Sequence, residues 1–133
     1  IALPYLEAAV RIDDPGHPVN AAFGGKGFRL ADEFYELQAP YSRETLRVLL
    51  SVDSEAMKGV EKVTKYGKPV RTDGDYGLSW VKAHGKGRVF YCALGHAGET
   101  YWNPAMLRHF FDGIRFAAGE LPADTTPSAR VKK

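Results

Sequence analysis

Between Gly95 and Trp102 the chain runs Gly-His-Ala-Gly-Glu-Thr-Tyr-Trp. His96 supplies an imidazole, the side chain that exchanges protons near neutral pH. Glu99 can orient or charge it. Gly95 and Gly98 let the backbone approach a ligand closely. Tyr101 and Trp102 offer flat apolar faces of the kind that stack on sugar rings. Such a loop suits general acid–base chemistry on a small polar molecule. The competing reading is structural: His96 bonds its own loop, and Trp102 plugs a seam between sheet and helix.

A second candidate is Asp32-Glu33, adjacent acids after the triplet Phe28-Arg29-Leu30. One of the two carboxylates can face a cleft as a partner to His96, or both can sit in a solvated turn. His17 lies between Gly16 and Pro18 in a rigid turn, a setting that usually serves structure. His84 falls in a hairpin turn and is expected exposed, His109 beside an apolar stripe and partly buried. Cys92, the single cysteine, is mid-strand without a basic neighbour to lower its pKa, so it reads as core. Four scattered histidines give no i,i+4 ligand pair, so no metal site is assigned and no cofactor is expected. There is no GxSxG, Walker A, GxGxxG, HExxH or CxxC motif. Gly24-Gly25-Lys26-Gly27 is not a phosphate loop, because no Ser or Thr follows the lysine.

The elements that must position these residues are clearest in the last third. Leu78–Ala83 and Arg88–Leu94 are β-rich runs joined by His84-Gly85-Lys86-Gly87, which predicts a hairpin. The second run is apolar on both faces, which predicts a strand inside a layered α/β sheet. Asn103 suits a helix N-cap and Pro104 the first helical position. Leu107, Phe110, Phe111, Ile114 and Ala118 recur at helical spacing and predict the face that packs on the sheet. Gly119 fits the position just past the helix end. The His96 loop thus follows a buried strand and precedes a capped helix, where open α/β sheets bind ligands. Upstream, Ala8–Ile12 and Leu46–Val52 read as strands, and residues 54–66 show weak helical periodicity.

The 133 residues are 44% hydrophobic and 26% charged, the composition of one ordinary globular domain. Of 18 basic and 16 acidic side chains, three basic and one acidic lie in residues 121–133. The first 120 residues are therefore neutral, with no basic face for nucleic acid. Residues 1–120 are expected to form the domain and 121–133 an extended basic tail. No apolar run approaches the roughly 18 residues of a membrane span. The start at Ile1 is too short for a secretory core and reads as internal. The composition fits a soluble protein, of the cytoplasm or the periplasm.

The C-terminal third resembles the trehalose-utilisation (ThuA-like) family. The residues that carry the likeness are Trp80-Val81-Lys82, Gly85-Lys86-Gly87-Arg88-Val89-Phe90-Tyr91, Ala93-Leu94-Gly95-His96 and Trp102-Asn103-Pro104. Asp14-Pro15 with His17-Pro18, and Asp32-Glu33 with Tyr35, match in order and spacing. The resemblance implies a flavodoxin-like, class I glutamine-amidotransferase-like three-layer α/β sandwich, incomplete at the N-terminus. It implies work on a carbohydrate, a disaccharide or keto-sugar, by hydrolysis or isomerisation. His96, Glu33 and Asp32 are then the catalytic candidates. His17, Tyr35, Gly95, Glu99, Tyr101 and Trp102 are the substrate-binding ones. The related amidotransferases use a Cys-His-Glu triad, and the strand–helix elbow that would hold the cysteine falls outside this chain. The likeness covers the C-terminal half of a longer domain, so a homodimer or a second chain is expected to complete the sheet. The alternative is a non-catalytic sugar-binding or assembly module.

Overall fold

The computed structural model describes residues 6–57 and 71–132. Five strands carry the fold: β1 (Leu6–Ile12), β2 (Phe28–Asp32), β3 (Arg47–Val52), β4 (Gly77–His84) and β5 (Gly87–Cys92). They form one sheet in the order β2-β1-β3-β4-β5, and every neighbouring pair is antiparallel. Here the structure departs from the predicted layered sandwich. The described residues are mostly sheet, curled into a half-barrel, with a single α-helix, α1 (Pro104–Ala118). β5 is an edge strand and not a central one. Its two apolar faces have separate causes. Phe90 meets α1 at His109 and Gly113, while Tyr91 on the opposite face stacks on Trp80 of β4.

The β4–β5 hairpin pairs from His84↔Gly87 to Ser79↔Cys92, as its glycine-rich turn predicts. β3 is buried at all six positions. It lies between β1 and β4, with Val48, Leu49 and Leu50 at the centre of the core. Residues 58–66 of the weakly helical stretch lie outside the described residues.

The bounds of α1 follow from its caps. The Asn103 side chain accepts hydrogen bonds from the Ala105 and Met106 N–H groups, Pro104 opens the helix, and Gly119 closes it with φ +84°. Its buried face is not the predicted one. Met106, His109, Gly113 and Phe116 are buried, whereas Leu107, Phe111 and Ile114 are more than half exposed. The physical reason is shape. A Cβ at residue 113 would collide with the Phe90 ring, so only glycine lets strand and helix close together there. Arg108 and Arg115 lie over the outward Phe111 ring.

His109 is fully buried and paired on both sides. Its Nδ1 is 3.0 Å from the Val19 carbonyl, and its Nε2 is 2.9 Å from the Ser79 hydroxyl. A carbonyl only accepts, so Nδ1 carries the proton, and the Ser79 hydroxyl sits between Nε2 and the Tyr91 carbonyl, 2.9 Å from each. Burial pushes its pKa down from 6.5 to about 4, and burial also lowers that of His17. The unfolded chain then binds the extra proton between those values, so stability is lost as pH falls through that window. For His109 alone the loss is expected to reach about 2 kcal/mol at pH 5 and about 3 kcal/mol at pH 4. Urea unfolding at pH 7 and pH 5 measures it, and equal stabilities would contradict it.

Residues beyond the helix are hydrogen-bonded to the rest of the chain as far as Ala129. Ser128 donates its N–H to the Leu46 carbonyl, and Ala129 to that of Arg43. Arg47 reaches Asp14, Asp124 and the Thr126 carbonyl.

Candidate functional site

β2 and β5 are the two edges of the sheet, yet the residues that follow them meet. The joint is Asp32, whose side chain is fully buried. Its Oδ1 accepts from the N–H groups of Glu33 (2.8 Å), His96 (3.0 Å) and Ala97 (3.0 Å). Its Oδ2 accepts from the Gly95 N–H (2.8 Å) and the Thr100 hydroxyl (2.6 Å). Burial alone would raise the pKa of this carboxyl. The bonds from Thr100 and from the Ala97, Glu33 and Gly95 N–H groups outweigh it and hold the pKa below its usual value. One charged group thus fixes the whole loop from Gly95 to Thr100 against the end of β2.

The next residue does different work. Glu33 Oε2 accepts from the Tyr35 hydroxyl and from His96 Nδ1, each at 2.7 Å. The Tyr35 bond, then the His96 bond, lowers the Glu33 pKa. An ionised Glu33 only accepts, so Nδ1 of His96 bears a proton. The His96 side chain is 50% exposed. The sequence offers Glu99, or one of Asp32 and Glu33, as the carboxylate beside His96. Glu33 takes that place, and Glu99 is exposed in the first turn of a 3-10 helix, Gly98–Trp102.

Gly95 is needed at its position. Its φ is +121°, and a Cβ there would lie 2.5 Å from the Tyr101 hydroxyl. Tyr101 stacks on Phe110 of α1 with ring centroids 5.4 Å apart, which stands it beside the loop. Trp102 is 78% exposed and does not plug the sheet–helix seam.

The structure does not bring His17 to this group. It is buried, where it accepts from the Val19 N–H as the cap of a 3-10 helix, Pro18–Phe23, and donates to the Asp124 carbonyl. Cys92 packs against the core, and burial pushes its thiol up to about 11, far from a nucleophile's range. Among the described residues no three His, Cys, Asp or Glu side chains are placed to share a metal ion. None of the helices described is long and apolar enough to cross a membrane.

A family model described as ThuA, trehalose utilisation, matches residues 3–117. Comparison with curated proteins and with solved structures returned no match.

Proposed function

The chain belongs to the ThuA (trehalose utilisation) family, and on that premise we propose that Glu33 and His96 form the proton-transfer site of an enzyme acting on a carbohydrate. The class of reaction we favour is isomerisation of a keto-sugar. His96 Nε2 takes the proton from the carbon beside the carbonyl and the electrons move onto the carbonyl oxygen; the imidazolium returns the proton to the former carbonyl carbon on the same face, while the hydroxyl proton of the first carbon passes to the oxyanion, so that the carbonyl changes place. Glu33 holds Nδ1–H and steadies the charge that forms on the ring. Tyr35 holds Glu33, and Asp32 positions the backbone that carries His96. Gly95 lets the Tyr101 ring close against the loop, and Tyr101 and Trp102 offer faces for a sugar ring.

One observation carries this choice over hydrolysis. Glycosidases in most families use two carboxylates flanking the scissile bond, one of them a proton donor. Here the Asp32 carboxylate is buried under five hydrogen bonds and Glu33 is engaged by Tyr35 and His96. What is left to move a proton is the imidazole.

The test is solvent exchange. Incubating the protein with a keto-disaccharide in heavy water is expected to place deuterium beside the carbonyl of the recovered sugar, as read by mass spectrometry. Cleavage products without deuterium in the remaining substrate would make the protein a hydrolase instead. Binding with neither outcome would make it a sugar-binding module.

A further inference from the structure

The site described so far accounts for one end of a substrate. A second surface lies next to it, on the sheet face turned away from α1. On β5, Phe90 points to α1, so Tyr91 points to the other face by the alternation of a strand. On β4, Ser79 bonds His109 of α1, so Trp80 also points away. The two residues are register partners. Their rings stack with centroids 4.8 Å apart and planes 16° from parallel. Both remain partly exposed. The Trp80 indole N–H is buried without an acceptor among the described residues.

The stack is joined to the Glu33–His96 pair through β5. Tyr91 is on the strand that runs directly into the Gly95–His96 loop. A flat aromatic face beside a polar proton-transfer group is the arrangement that holds a sugar ring through its C–H face.

We propose that the Trp80–Tyr91 stack is a second saccharide subsite, holding the non-reacting ring of a disaccharide whose other ring lies at His96. The proposal rests on the reading of Glu33–His96 as a carbohydrate site. It makes Tyr91 a specificity residue that separates two linked rings from one.

Trehalose and glucose serve as probes, with affinities from ligand-observed NMR or calorimetry. The unaltered protein is expected to bind trehalose about tenfold more tightly than glucose. Tyr91→Ala is expected to bring trehalose down to the glucose level and leave glucose unchanged, while Tyr91→Phe keeps the preference. Equal affinity for the two sugars in the unaltered protein, or an intact preference in Tyr91→Ala, overturns the subsite. If Tyr91→Ala does not fold, fluorine NMR of fluorotryptophan-labelled protein replaces it. Trehalose is then expected to shift the Trp80 resonance where glucose does not, and a Trp80 signal indifferent to trehalose overturns the proposal. Assaying deuterium exchange of a keto-disaccharide with the same protein variants separates the two readings. Tyr91-dependent binding without exchange keeps the subsite and removes the catalytic reading. Exchange with Tyr91→Ala indifferent to ring number does the reverse.

Discussion

Replacing Asp32 by alanine is expected to remove about 3–5 kcal/mol of folding stability, a large share of what a domain of this size has. The change leaves three backbone N–H groups of the 95–97 loop, the Glu33 N–H and the Thr100 hydroxyl without their acceptor. Each buried orphan donor costs about 1–3 kcal/mol, discounted because the loop can relax and admit water. Asp32→Asn keeps one oxygen, and the Thr100 hydroxyl can turn to accept from the new amide, so a smaller loss of about 1–2 kcal/mol is expected. The consequence is larger than for most surface acids because Asp32 closes the sheet across its two edges. Hydrogen exchange should locate the damage, with the Gly95, His96 and Ala97 amides exchanging faster before the global transition. A urea midpoint for Asp32→Ala within 1 kcal/mol of the unaltered protein would rule out this role.

The same joint shows where sequence reading stops. The residue types at the site were legible: an imidazole in a glycine-flanked loop before a capped helix, and a pair of adjacent acids far upstream. Local spacing offered Glu99, three residues from His96, beside the upstream acids, and could not choose between them. The actual partner lies 63 residues away, and the link depends on how the sheet curls. The positions of β1, β3, β4 and β5 and the β4–β5 hairpin followed from local apolar runs and turn glycines. The antiparallel order β2-β1-β3-β4-β5 did not, since pairing is a long-range choice that period-2 patterns leave open. In α1 the caps were legible because capping is chemistry between neighbours. The buried face was not, because hydrophobicity favoured Leu107, Phe111 and Ile114, while fit favoured Gly113 against Phe90 and a histidine whose two nitrogens find Val19 and Ser79.

The largest effect on function is expected at His96. With a keto-disaccharide in heavy water, His96→Ala should lower the rate of deuterium uptake by about 10²–10⁴-fold, the usual contribution of a positioned acid–base group. The fold should survive, because the side chain is half exposed and the loop is held by backbone bonds to Asp32. Glu33→Gln should cost less, since an amide oxygen still accepts from Nδ1–H but no longer stabilises the imidazolium. Tyr35→Phe supplies the pH test. The Tyr35 hydroxyl is the leading cause of the lowered Glu33 pKa, so its removal lets that carboxyl rise toward the ordinary range. Glu33 then protonates at higher pH and loses its hold on Nδ1–H, so the acid limb of the rate profile moves upward. A merely structural tyrosine would lower stability and leave that limb in place. Full exchange in His96→Ala would end the assignment of the imidazole, and an unmoved acid limb in Tyr35→Phe would end that of the Tyr35–Glu33–His96 chain.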